Sequence, residues 1–252
     1  MMYKNSMNPC FGLVLGSLVI SLSLFAQAEI VPSSSSQPKA LEHELQMLLA
    51  NRAQVSSDPK MLVRLADLYL DIGDELYSEE TKRRAAYEEG ARIARRAIEL
   101  DESNAEAHYL YAANLGSAAQ LKGVMASAFT IQDLKRHVRR ALELNPNHAP
   151  ALHMMGMMFE ELPWVLGGDA EAALRYLNKA VTTDPYYIHA RLDLGKAYIK
   201  RQQIDAARHE LNTIVSQAPP RDQSPSEQRY RQEAHQLLAS LAPQQNTTDS
   251  HK

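Results

Sequence analysis

Cysteine is all but missing from this chain of 252 residues. The single example, Cys10, lies ahead of an apolar run at residues 11–25, so everything after that run lacks a thiol. Disulfides, zinc–thiolate centres and cysteine nucleophiles are thereby excluded for that part. Glycine and aromatic residues are scarce, with ten glycines and one tryptophan, while Ala, Leu, Glu, Arg and Gln abound. Such a composition favours helix throughout. A one-signed charge is also lacking: 27 Lys and Arg stand against 30 Asp and Glu. No electrostatic footprint for nucleic acid or anionic lipid results. Nor does the chain contain a Gly-rich phosphate loop, a Gly-x-Ser-x-Gly elbow or a His-Glu-x-x-His pair.

What is present begins with an export signal. Lys4 precedes the apolar run, and Ala26-Gln27-Ala28 supplies the small-x-small pattern of a signal-peptidase site, so cleavage is expected after Ala28. The run, about fifteen residues, is short for a membrane span, which needs about 20. Residues 1–28 are thus expected as a signal peptide and residues 29–38, rich in Ser and Pro, as a flexible linker. A helical domain is expected over residues 39–242, followed by a polar, disordered tail at residues 243–252. Removing the signal leaves 26 basic against 30 acidic side chains. The expected location is the periplasm or the exterior, with no stable membrane span.

Between those ends the chain repeats. Four phrases close a helix: Ala97-Ile98-Glu99-Leu100-Asp101, Ala141-Leu142-Glu143-Leu144-Asn145-Pro146, Ala180-Val181-Thr182-Thr183-Asp184-Pro185 and Ile214-Val215-Ser216-Gln217-Ala218-Pro219. A small residue recurs in the helix of each unit that precedes them, at Ala66, Ala112, Gly156 and Gly195, with a bulky residue three positions on at Tyr69, Leu115, Phe159 and Tyr198. A small residue lets a second helix approach closely, and the bulky one fills the groove beside it. The phrases are spaced 44, 39 and 34 residues apart, which places inserts between paired helices at residues 73–87, 116–133 and 161–169. Amphipathic segments at 39–54 and 225–241 are expected to flank the array as an extra front helix and a cap.

This pattern resembles the tetratricopeptide repeat (TPR) family over residues 59–219. The resemblance implies an all-α, right-handed solenoid of about four helix pairs. Six stretches carry a narrower resemblance: His108-Tyr109-Leu110-Tyr111-Ala112, Leu121-Lys122-Gly123-Val124, His137-Val138-Arg139-Arg140-Ala141-Leu142-Glu143-Leu144-Asn145-Pro146, Leu152-His153-Met154-Met155-Gly156, Leu162-Pro163-Trp164 and Leu194-Gly195-Lys196-Ala197-Tyr198. In them the chain resembles the regulators of microtubule dynamics and their exported bacterial relatives. A cytoskeletal role does not carry over to an exported chain.

By the resemblance, the first helix of each pair lines an inner face that binds an extended protein segment. Matching positions give Val63, Asp67 and Asp71; Tyr109, Ala113 and Ser117; His153, Met157 and Glu160; and Leu192, Lys196 and Lys200. That face reads acidic in the first repeat, apolar and aromatic in the middle, and basic in the last. The loop Pro163-Trp164-Val165-Leu166-Gly167-Gly168-Asp169 admits two readings. Trp164, Gly167 and Gly168 are either a contact at the mouth of a groove or, as favoured, a tryptophan packed on the core with Asp169 capping the next helix. Glu160, Glu161 and Asp169 read better as a solvated helix end than as an acid pair. The nine histidines are scattered without ligand spacing, so no metal or other cofactor is expected. A non-catalytic protein-binding scaffold follows. The alternative, a transport accessory protein similar to the T component of TRAP transporters, would hold a small ligand and dock a solute-binding protein.

Overall fold

Helix follows helix through the computed structural model, which describes residues 37–217 and 224–241. The expected signal peptide, most of the linker and the tail lie outside the described residues. The helices are α1 (Gln37–Ala50), α2 (Pro59–Asp71), α3 (Glu80–Leu100), α4 (Ala105–Lys122), α5 (Val124–Leu144), α6 (Ala149–Glu161), α7 (Ala170–Thr183), α8 (Ile188–Lys200), α9 (Ile204–Ser216) and α10 (Pro225–Ser240). No strand occurs among the described residues.

Local chemistry sets the boundaries. Asp58, Asn104 and Asp169 each accept a hydrogen bond from a backbone N–H of the first turn of α2, α4 and α7. Proline sits in the first turn of α2, α6 and α10, where its missing N–H costs nothing. The helices pack as four pairs: α2 with α3, α4 with α5, α6 with α7 and α8 with α9. A Cβ on Gly156 would meet Leu177 Cγ at 2.8 Å, and one on Gly195 would meet Leu211 Cδ2 at 3.1 Å. The small residues of the repeat are therefore the places where the second helix of a pair comes closest. Ala97, Ala141, Ala180 and Ile214, which open the four closing phrases, are all fully buried.

The inserts differ from expectation. Residues 116–133 form no separate segment between helices. Instead α4 and α5 simply run long and meet at Gly123, whose φ of 99° suits glycine. In the first pair, α2 continues into a π-helical turn, Ile72–Leu76, against which Tyr87 of α3 packs. Only the third insert is a true loop, with a 3-10 turn at Trp164–Leu166. The front segment is α1 plus a 3-10 turn at Ala53–Val55, separated by Arg52 in the left-handed region (φ 53°).

First helices touch in succession, α2 to α4, α4 to α6 and α6 to α8, while second helices make no comparable contacts with one another among the described residues. The row of first helices is therefore the tighter, inner one. α10 packs on α8 and α9, and it also reaches the Ile72–Leu76 turn of the first pair. There the Ser226 backbone N–H donates to Glu75 Oε2 at 3.1 Å. The last helix thus crosses the inner face from the fourth pair to the first.

Candidate functional site

The inner face carries two chemically distinct regions. At the first pair, Asp67, Asp71, Asp74 and Glu75 follow one another along α2 and its π turn. Asp67 accepts from Arg64 at 2.7 Å, and Asp74 accepts from the Tyr87 hydroxyl at 2.6 Å. The Asp71 carboxylate makes neither a hydrogen bond nor an ion pair among the described residues. Burial, reinforced by the charge of Asp67, pushes its carboxyl up to about 7. Tyr109 of α4 stands close by, half-buried, with its ring 5.0 Å from that of His148. Burial and the surrounding carboxylates raise its hydroxyl above the usual range.

At the third and fourth pairs, histidines converge. His153 of α6 lies 2.8 Å from Asp193 Oδ2 through Nε2 and 3.0 Å from the Tyr187 hydroxyl through Nδ1. His189 of α8 reaches the same Asp193 oxygen through Nε2 at 3.4 Å. Its ring stacks on Tyr230 of α10 at 4.3 Å, and its Nδ1 lies 3.3 Å from the Tyr230 hydroxyl. Burial, with the adjacent His153, depresses His189 to about 4, so it is neutral at pH 7. For Asp193, burial acts to raise the carboxyl, but the His153 hydrogen bond, with His189 and the Lys196 ammonium close by, outweighs it and holds the group below its ordinary value.

The positions named from sequence divide. Asp67, Asp71 and Tyr109 come together at the acidic end. Val63 is half-buried against the first core cluster, and Met157 against the cluster of α6 to α8. Ala113 is half-buried, and Ser117 lines a small cleft with Asp74, Arg83 and Tyr87. Leu192 is not a groove residue: it is fully buried with Leu211, Ile214 and Ala234, because α10 lies over it. The expected basic end is neutralised. Lys196 pairs with Glu233 at 2.8 Å, Lys200 with Glu160 at 3.0 Å, and Arg201 also binds Glu160 at 2.6 Å.

The loop reading needs correcting as well. Trp164 is 83% exposed and does not pack on the core, and Val165 and Leu166 are exposed beside it. Asp169 does cap α7, accepting from Glu171 and Ala172 at 3.0 Å. Gly167 takes a φ of 88°, and Gly168 lies so close to the Leu162 carbonyl that a Cβ would not fit. Trp164 flanks a cleft of about 360 Å³ with Phe159, Leu162 and Lys200.

Sequence spacing argued against metal ligands, yet the fold gathers His153, His189 and Asp193 so that one donor atom of each lies within 4.8 Å of the others. The pair His189 and Asp193, four residues apart on one helix face, was the readable part of that signal. Other histidines have structural partners: His148 caps α6 and lies 2.8 Å from Glu106 Oε2, and His108 meets the Glu102 carbonyl and His137.

Stacked helix pairs with a row of first helices on the inner side define a TPR-like helical scaffold. A tetratricopeptide repeat model matches residues 166–224, and the model of regulator of microtubule dynamics protein 1-3 matches residues 24–165, more than half of the chain. The chain belongs to the regulator of microtubule dynamics family. It is 31% identical to regulator of microtubule dynamics protein 1 of Mus musculus over 193 residues, which is 70% of this chain and 61% of that protein. The Homo sapiens protein 1 is 34% identical over 139 residues, 49% of this chain and 44% of its own. Protein 3 of Rattus norvegicus is 27% identical over 205 residues, 75% of this chain and 43% of its own. This chain thus spans less than two thirds of these relatives. Among solved structures, a thermophilic TPR protein of Thermus thermophilus superposes with a TM-score of 0.60 at 14% identity, covering 80% of this chain and 92% of that one. That likeness concerns the fold. Among the described residues, no helix is long and apolar enough to cross a membrane.

Proposed function

We propose that this protein is an exported, non-catalytic TPR scaffold that binds a basic protein segment at the acidic half of its inner face. The observation that carries this reading is Asp71, a half-buried carboxylate without an ion-pair partner among the described residues, flanked by Asp67 and Asp74. Leaving such a group unpaired works against folding, and an incoming Lys or Arg would relieve that cost. Export rests on Lys4, the apolar run and Ala26-Gln27-Ala28. The relatives are named for regulating microtubules, a protein assembly, and for an exported chain the protein partner would be a different one.

Fluorescence anisotropy tests the reading with synthetic peptides of equal length, one rich in Lys and Arg and one rich in Glu. The basic peptide is expected to bind in a salt-dependent manner, with affinity falling about tenfold in the Asp67→Asn/Asp71→Asn double variant. Equal binding of both peptides, or binding indifferent to the double variant, would overturn the assignment.

The small-ligand alternative draws its support from the aromatic and histidine groups His153, Tyr187 and His189, with Tyr230 of α10 stacked on the last. Native mass spectrometry separates the two readings, since a co-purified small molecule favours the accessory protein and an empty chain favours the peptide scaffold.

A further inference from the structure

We propose that His153, His189 and Asp193 form a binding site for a divalent transition-metal ion of the zinc class, built between the third and fourth helix pairs. This goes beyond the peptide-binding reading and does not depend on it.

The donor set suits such an ion: two imidazoles and one carboxylate are a common combination for zinc. A tetrahedral ion with bonds of about 2.0–2.1 Å holds its donors about 3.3 Å apart. Here His153 Nε2 and His189 Nε2 lie 2.8 and 3.4 Å from the same Asp193 oxygen, which brackets that separation. His189 and Asp193 project from one face of α8, and His153 comes across from α6. A two-helix chelate needs only small side-chain movements to close.

The second observation concerns the far side of each ring. The Nδ1 of His153 lies 3.0 Å from the Tyr187 hydroxyl, and the Nδ1 of His189 lies 3.3 Å from the Tyr230 hydroxyl. Both imidazoles are therefore held at Nδ1, with both Nε2 atoms turned inward on one carboxylate. Metal-bound histidines are oriented in this way by an outer partner that accepts the Nδ1 proton, and each tyrosine hydroxyl can do so. With each Nδ1 engaged by its tyrosine hydroxyl, Nε2 is the nitrogen each ring leaves to the ion.

Charge allows the ion. The Lys196 ammonium faces the site, 3.4 Å from the other Asp193 oxygen, but Glu233 on α10 holds it at 2.8 Å. Asp193 and Glu233 together outweigh Lys196, so the surroundings carry a net negative charge. His153 and Asp193 are buried while His189 is half-buried, so a fourth position for water opens on the His189 side. Through Tyr230 the ion would also fix α10 to the inner face.

The test uses the untagged full chain, stripped with a chelator and titrated with zinc chloride against a chromophoric competitor. One equivalent is expected to bind tightly and to raise Tm by about 5 °C at a hundredfold excess over Kd. His189→Gln removes a half-exposed donor, so it is expected to fold as the parent does by circular dichroism and to lose at least about tenfold in affinity. Tyr230→Phe, which leaves the donors intact, is expected to lose about tenfold through its effect on ring orientation. Cobalt(II) in place of zinc should give the intense visible absorption of a tetrahedral site, a readout that needs no variant. Zinc binding unchanged in His189→Gln, or no tight equivalent and no such absorption in the parent chain, overturns the proposal.

Discussion

Single side chains in this protein are held at a cost that the repeat itself does not require. Asp71 is the clearest case. Its folded-state carboxyl, pushed up to about 7 by burial and Asp67, stands above its ordinary value of 3.8. Below the lower of these values both folded and unfolded chains carry the proton, and the group contributes nothing. Between them the folded chain keeps a proton the unfolded chain has lost, so stability falls as pH rises through that window. Asp71→Asn removes the effect. Thermal melts of the variant should therefore be flatter between about pH 4 and pH 7, and its Tm at pH 8 should exceed that of the parent by about 3 °C, on the order of 1 kcal/mol for a chain of this length. A parallel pH dependence in both proteins would show that Asp71 is not the source. Gly90 makes the opposite case. Its α-carbon faces Asn114, which is fully buried and donates to the Ala66 and Leu110 carbonyls at 3.1 and 3.0 Å. A Cβ there would collide with the Asn114 amide and break a link between the first two pairs. Gly90→Ala is expected to lower stability by about 2 kcal/mol, read as a shift in the urea midpoint with an unchanged slope.

Elements were more legible than the connections between them. The small residues at Ala66, Ala112, Gly156 and Gly195 revealed the pairs, because close helix approach leaves a mark at fixed spacing. The flanking helices at 39–54 and 225–241 were readable from their amphipathic pattern for a similar reason. The second insert was not, since residues 118–122 are good helix formers, Gly116 is carried inside α4, and the helix breaks only at Gly123. Spacing showed that extra residues existed there, but not that two helices would absorb them. The Trp164 loop misled for a different reason. A lone tryptophan normally seeks cover, yet Gly167 and the tight Gly168 approach turn the chain so that Trp164 points to solvent. Because it supports nothing, Trp164→Ser should leave Tm within about 1 °C of the parent, while Asp169→Ala, which removes the cap of α7, should cost about 1 kcal/mol. A large loss from Trp164→Ser, measured by differential scanning calorimetry, would put the ring back against the core.

At the scale of the whole molecule, α10 decides what the inner face can do. No repeat pattern reveals that a terminal helix crosses from the fourth pair to the first, and this crossing is why Leu192 is buried and why Lys196 is tied to Glu233. It also brings Tyr230 onto His189, a meeting of residues 41 apart that no spacing along the chain signals. The crossing sets up a competition. Ser226 at the start of α10 binds Glu75, part of the acidic end, so an incoming basic segment and α10 approach the same region. A tethered helix is present at high effective concentration, and a partner has to displace it or bind beside it. Tyr230→Ala together with Glu233→Ala removes the His189 stack and the Lys196 ion pair, while leaving Asp67, Asp71 and Asp74 untouched. Hydrogen exchange across α10 is then expected to speed up by about tenfold, which corresponds to about 1.4 kcal/mol of lost docking. If α10 competes with the partner, the basic peptide will bind severalfold more tightly to this variant than to the parent. Faster exchange without any gain in peptide affinity would make α10 a cap alone, and would move the binding surface away from the end of α10 that touches Glu75.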